Sequence, residues 1–292
     1  MINKILLVLI LISAISPSAI AQPISTQIEK KNNVIVLKDL DFKTVMMAFY
    51  QKDIQYVKIP ELEHEKVQYV GIKNASEVGI DENDDAVIVF SPAKTFQNVQ
   101  NEARYLISTT EILIDKEDAR LKFCGVCATF TQFYLFRKNE NGKFELISRS
   151  LDENGWFKGD FNFQPYPVED IIKNIRKVGP EIKGYVEEQE YSRQGYSHTK
   201  LFITPFDENP KMNKFEVAEI SNDNEVTGSD KIYNTQGDYR FLDTEHDGLY
   251  DIEIHYSGTQ QIYQDDIAKI VPIHATHVYH YNEAQQKYIR VK

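Results

Sequence analysis

Short runs of alternating apolar and polar residues, separated by Asn-Gly and Asp-Gly pairs, recur along this chain. From Tyr250 to Tyr256, Ile252 and Ile254 alternate with Asp251, Glu253 and His255, the period-two pattern of a strand buried on one face. Asp247-Gly248 precedes that run and Tyr239-Arg240-Phe241-Leu242 lies on its other side. Asn and Gly accept the positive φ that tight hairpins require, so such a pair between two runs predicts an antiparallel hairpin. Thr131 to Lys138, Asn141-Gly142 and Lys143 to Arg149 repeat the arrangement, as do Asn154-Gly155 with Trp156-Phe157. The C-terminus offers His277 to Tyr281, a polar turn through Asn282 to Gln286, and Tyr288 to Val291. Val34 to Leu37, Val67 to Ile72, Ala86 to Phe90 and Tyr105 to Ile114 add further strands. The predicted class is therefore mainly β, built of antiparallel hairpins.

One helix is expected against this background. Pro167 suits a first helical position, Glu169 and Asp170 complement the helix N-terminus, and Lys173, Arg176 and Lys177 complement its C-terminus. Ile171, Ile172, Ile175 and Val178 form an apolar stripe, and Gly179-Pro180 is a stop. The expected helix runs from Val168 to Val178. It falls near the middle of the chain, so residues 22–292 are expected to form one β-rich domain with two lobes and a seam near 160–180.

Residues 1–21 carry the features of an export signal. Lys4 gives a positive start, Ile5 to Ile12 is continuously apolar, and Ala19-Ile20-Ala21 places small residues where a signal peptidase reads them. The apolar run is shorter than the roughly 20 residues that span a bilayer, so cleavage rather than anchoring is expected. The predicted mature protein starts at Gln22 and resides in the periplasm or outside the cell. Cleavage removes one of the 33 Lys and Arg residues and none of the 44 acids, leaving a charge of −12. That balance lacks the basic footprint of a nucleic-acid or anionic-lipid binder and suits a plainly soluble protein, a protein with a basic partner, or one that binds cations. With 17 Tyr and 16 Phe the chain has ample material for a core and for aromatic contacts.

Three groups of residues carry candidate chemistry. Cys124-Gly125-Val126-Cys127 holds both cysteines of the chain. In an oxidising compartment the pair reads first as a small structural disulfide, with a redox centre or half of a metal site as alternatives. Redox pairs of the thioredoxin type sit at a helix start, whereas Ala128 to Phe136 is β-branched and aromatic and favours a strand. Asp243, Glu245, Asp247, Leu249 and Asp251, with Gly248 at the sixth position, match the first part of a calcium-binding loop. Position twelve is Ile254 where a bidentate Glu belongs, and a plain Asp-Gly hairpin is the alternative. His274, His277 and His280 have zinc-like spacing, but on a strand His277 faces away from the other two. No nucleophile elbow, zinc-protease helix or phosphate loop occurs in the sequence.

The stretch from Tyr105 through Cys124 and Cys127, Phe133-Tyr134-Leu135-Phe136, Lys143-Phe144-Glu145-Leu146 and Gly155 resembles a group of uncharacterised exported proteins of Gram-negative bacteria. The likeness continues through Gly179-Pro180, Gln194-Gly195-Tyr196 and the acidic Asp-Gly loop, and implies no activity. The C-terminal part, through Val278-Tyr279-His280-Tyr281 and Tyr288, is similar to calcium-loop periplasmic proteins that inhibit lysozymes or confer immunity to secreted cell-wall hydrolases. That likeness implies a Ser-Gly-x-x-Tyr docking loop. Here Ser257-Gly258 is followed by Tyr263, two residues later than in the pattern. Ser257, Gly258 and Tyr263 are accordingly the expected partner-binding residues. The leading expectation is an exported, non-enzymatic binding protein, an inhibitor or immunity protein with a protein partner. A thiol–disulfide protein using Cys124 and Cys127 and a calcium-dependent envelope protein are the alternatives.

Overall fold

Local alternation and tight turns produce two large, mainly antiparallel sheets. A computed structural model describes residues 29–31, 34–73, 85–115, 118, 120–122, 129–150, 156–158, 168–227, 231–264 and 267–291. In chain order the first half comprises β1 (Glu29–Lys31), β2 (Val34–Leu37), α1 (Phe42–Phe49), β3 (Ile54–Gln55), α2 (Pro60–Glu65), β4 (Gln68–Ile72), β5 (Ala86–Gln97), β6 (Ala103–Asp115), β7 (Arg120–Leu121), β8 (Thr129–Lys138), β9 (Phe144–Ser150) and β10 (Trp156–Lys158). The second half comprises α3 (Val168–Lys173), β11 (Ile175–Lys177), β12 (Lys183–Arg193), β13 (Tyr196–Pro205), β14 (Lys211–Met212), β15 (Phe215–Asp223), β16 (Asn234–His246), β17 (Leu249–Gln264), β18 (Ile267–Pro272), β19 (Ala275–Asn282) and β20 (Lys287–Arg290). Among the described residues no helix is long and apolar enough to cross a membrane.

The first sheet runs β1-β2-β9-β8-β6-β5-β4-β3, with β10 on β8, β7 on β6 and β14 on β9. Its middle is covered on both faces. Ile88 and Phe90 of β5 pack with Ile107, Tyr134 and Phe136 beneath Val45 and Met46 of α1. On the other face Val87 and Val89 pack with Ile112, Ile114 and with Ile59 and Leu62 at α2. Helix α1 was not expected, although Phe42, Val45, Met46 and Phe49 carry helical spacing and the Val45 amide donates to the carbonyl of Asp41 at 3.0 Å. The Pro60-Glu61 start of α2 was likewise a legible helix signal.

The expected helix begins at Val168 but ends at Lys173. Asn174 closes it, its amide reaching the carbonyls of Asp170 and Ile171 at 3.3 and 3.0 Å. Ile175 to Lys177 then pair with Tyr185 to Lys183, so strand pairing claims the last turn of the apolar stripe. Gly179-Pro180 turns one strand back onto the next. Pro167 lies outside the described residues. The Asn141-Gly142 hairpin also has a longer connection than expected: Lys138 pairs with Phe144, and Asn139 Oδ1 accepts the amides of Asn141 and Lys143, both at 3.0 Å.

The second sheet runs β11-β12-β13-β15-β16-β17-β19-β20, with β18 on β17. Strand β15 pairs with β16 only through Ser221, Asn222 and Asp223, and its remainder packs against β20. The sheet thus curls into a half-barrel. Leu201, Ile203, Phe215, Val217, Ile252, Ile254 and Tyr281 fill its interior. A third core joins the sheets: Leu106, Phe133, Leu135 and Ile147 meet Val168, Ile171, Tyr185, Phe206 and Met212. Two ion pairs reinforce this junction, from Arg104 and Arg137 to Glu208 at 2.8 and 2.7 Å.

Candidate functional site

The inward-facing register of the half-barrel changes character along its length. On β17, Ile252 and Ile254 are buried and Tyr256 is half-buried. On β19, Tyr281 is buried, whereas Tyr279 and His277 are half-buried. Where the aliphatic filling gives way to these rings, a trough of about 770 Å³ opens. Tyr196, Tyr233, Tyr256, Tyr263 and Tyr279 line it with Glu219, Ser221, Asn222, Thr235, Gln260, Gln261, His277 and Arg290.

Several of these tyrosines are fixed in place. The Tyr256 hydroxyl donates to the Glu219 carbonyl at 2.8 Å and lies 3.3 Å from the Tyr279 hydroxyl. Burial, and then the Tyr279 contact, push the Tyr256 phenol above its ordinary pKa, so it stays a neutral donor. Tyr233 donates from its hydroxyl to Asn222 Oδ1 at 3.1 Å, and its amide donates to Asn224 Oδ1 at 2.8 Å. His277 packs its ring 5.0 Å from that of Tyr256, and burial holds its pKa below the ordinary imidazole value, with Arg290 acting in the same direction. Rigid rings with polar tips, amides and hydroxyls make a surface suited to docking a protein or a neutral polar group.

Ser257 and Gly258 mark the edge of this trough. Thr235 pairs with Gly258, after which Thr259 pairs with Pro272 of β18. Strand β17 therefore leaves the half-barrel at Gly258 and continues as a two-stranded arm with β18. Gly258 has φ +101°, and a Cβ there would lie 2.1 Å from the Asn234 carbonyl oxygen, so only glycine fits. The Asn234 amide donates to Thr259 Oγ1 at 3.0 Å, and Thr235 Oγ1 donates to the Thr259 carbonyl at 2.8 Å, bracing the bend. Near the arm's tip Tyr263 is 72% exposed, and Ile262 and Ile267 are exposed beside it. The Tyr263 hydroxyl accepts from Gln261 Nε2 at 2.7 Å.

The five positions read as a calcium loop lie along a tight hairpin. His246 pairs with Leu249 across Asp247-Gly248, whose φ values of 50° and 85° are those of a two-residue turn. Asp243 and Glu245 are exposed on β16, and Leu249 is packed into the half-barrel core. Asp247 accepts the Glu283 amide at 2.9 Å and lines a smaller cleft of about 220 Å³ with Asp207 and Glu283. In that cleft burial raises the Asp207 carboxyl above its ordinary pKa, and the Tyr281 phenol is pushed up to about 12 by burial and the three nearby carboxylates. Asp251 is separated from the other three acids and turned into a cluster with two histidines. Its Oδ1 lies 2.7 Å from His246 Nδ1, its Oδ2 lies 3.6 Å from His280 Nε2, and Thr244 Oγ1 donates to Oδ2 at 2.6 Å.

Among the described residues, His246, Asp251 and His280 are the one group of three His, Cys, Asp or Glu side chains with ligand atoms all within 4.8 Å. The sequence spacing of His274, His277 and His280 did not reveal it, because His277 faces the trough and His280 the cluster. The tyrosine trough was also missed. Its signal was the inward series Ile252, Ile254, Tyr256, in which the last member is a ring with a polar tip. Cys124 and Cys127 lie outside the described residues, although the run after them forms strand β8 as expected. No family model, curated protein or solved structure matches this chain.

Proposed function

We propose that this chain is an exported, non-enzymatic binding protein that docks a protein partner in the periplasm or outside the cell. The observation that carries the reading is the open, tyrosine-lined trough flanked by an arm whose tip exposes Ile262, Tyr263 and Ile267. Fixed tyrosines offer large contact area with little side-chain entropy to lose, and apolar residues at the tip of a projecting arm supply an anchor. An acidic protein attracts a basic partner, which favours a cell-wall hydrolase or a secreted toxin that the chain would inhibit or neutralise. Tyr263 belongs to both surfaces, while Ser257 and Gly258 set the angle between them.

The test is titration of the purified protein against a panel of basic peptidoglycan hydrolases, lysozymes included, with binding and residual hydrolase activity both recorded. One member should bind with one-to-one stoichiometry, and Tyr263→Ala with Ile267→Asp should weaken it at least tenfold without lowering the melting temperature. Absence of binding across the panel would overturn the hydrolase assignment. Binding that both arm substitutions leave intact would overturn the docking surface.

A further inference from the structure

The cluster beneath the Asp247-Gly248 turn has a donor set and a setting beyond what a hairpin needs. Asp251 lies one step past the Ile252–Tyr279 pair, which brings it opposite His280 on β19, while the tight turn returns Thr244 and His246 to its other side. Three neighbouring strands thus deliver two imidazoles and one carboxylate to a single point. The side chain of Asp251 is only 2% exposed, and among the described residues the basic side chains within 4 Å of its carboxylate are His246 and His280. A buried carboxylate is costly to hold unless a cation or several hydrogen bonds compensate it. The two rings stack at 3.7 Å with 15° between their planes, both directing a nitrogen toward that carboxylate. At 3.6 Å the His280 contact is too long for a hydrogen bond, so part of the convergence is left unused by the protein itself.

We propose that His246, Asp251 and His280 bind one zinc ion. Two imidazoles and a carboxylate form a ligand set typical of open zinc sites, whereas calcium takes six to eight oxygens, which this cluster does not present. Ligand atoms around tetrahedral zinc lie about 3.3 Å apart, as follows from zinc–ligand bonds of about 2.0–2.1 Å. The ligand atoms lie within 4.8 Å of one another, and because zinc lies in the plane of each imidazole it binds, the two rings unstack from their 3.7 Å, 15° arrangement as both reach the ion. His246 and His280 have 48% and 29% of their side chains exposed, which gives the ion a path from solvent and leaves a fourth position for water. Thr244 holds the Asp251 carboxylate from outside, the role that outer hydrogen bonds play at metal sites. The turn itself is anchored by the Glu283 amide on Asp247 and by the Tyr250 amide on the Val178 carbonyl at 2.9 Å, so the scaffold is set before the ion arrives.

The untagged, chelator-treated full chain should be titrated with zinc chloride by isothermal calorimetry. One saturable site with micromolar or tighter affinity is expected. His246→Ala and His280→Ala should each weaken it at least tenfold, while His274→Ala, outside the cluster, should not. Both histidines are partly exposed, so folding of the variants can be verified by metal-free melting temperatures. Asp251→Asn gives a third reading if it folds, and the two histidine variants decide the matter without it. Nitrogen NMR of the imidazoles should move His246 and His280 together on zinc addition. No saturable zinc binding by the parent chain would overturn the proposal, and so would zinc binding that survives both histidine substitutions.

Discussion

Strands β5 and β17 are both long, both central and both rich in β-branched residues, yet they bury themselves in different ways. From Ala86 to Phe90 every residue of β5 is buried, because α1 covers one face of the first sheet and α2 the other. In β17 Leu249, Asp251, Ile252 and Ile254 are buried near the turn, burial fades at Tyr256, and it is absent at Tyr263. A strand enclosed on both sides has no surface left for recognition, and its sequence is constrained by packing. A strand that passes from a packed core into an open trough carries stability at one end and open, exposed surface at the other.

The sharpest way to challenge that division is to remove matter from each part. Ile88→Ala empties a site enclosed on every side and should lower stability by about 2–5 kcal/mol, read as a shift of the urea midpoint at unchanged m-value. A loss well under 1 kcal/mol would mean that the first sheet is less tightly filled than β5 implies. Gly258→Ala should cost less, about 1–3 kcal/mol, through left-handed backbone strain and the clash with the Asn234 carbonyl. Its distinguishing mark is local, since amide exchange should accelerate in Thr259–Gln264 and Ile267–Val271 before it changes in β5. Uniform acceleration in both sheets would contradict the separation of arm and core.

The smallest effect concerns protonation of the trough. The His277 pKa is lower in the folded chain than in the unfolded one, so the unfolded chain takes up a proton first as pH falls. The associated stability is fully present above the unfolded value, about 6.5, and is lost as pH drops through the folded value. The melting temperature should therefore fall between pH 7.5 and 5.5, and His277→Gln should flatten part of that slope. Ile88→Ala should leave the slope unchanged. An identical slope in the His277 variant would remove this histidine from the account.

Strands were readable because their signal is local. Ile252 and Ile254 alternate with charged neighbours, and Asp247-Gly248 has the residues that a two-residue turn needs. Helix α3 was half readable: Glu169 and Asp170 mark its start, but its end depends on β12 being available to pair with Ile175. The cluster was not readable. His246 and His280 are joined only through the pairing of β19 with β17, and no residue near either histidine specifies that pairing. The calcium-like spacing of Asp243 to Asp251 fits a loop that wraps around an ion, whereas a hairpin lays the same acids along two strands. The trough depends on the curl of the whole sheet, set where β15 parts from β16 after three residue pairs.

The bend at Gly258 also bears on how such a protein can change over generations. Beyond it, β17 pairs with β18 alone, so the register of the arm is independent of the half-barrel. Residues can be gained or lost in matched pairs on the two arm strands without turning any core side chain outward, because the side-chain period is two. Each added residue per strand extends the reach by about 3.4 Å. The arm is thus an adjustable element on a fixed body, whose length can change while the rest of the fold stays as it is.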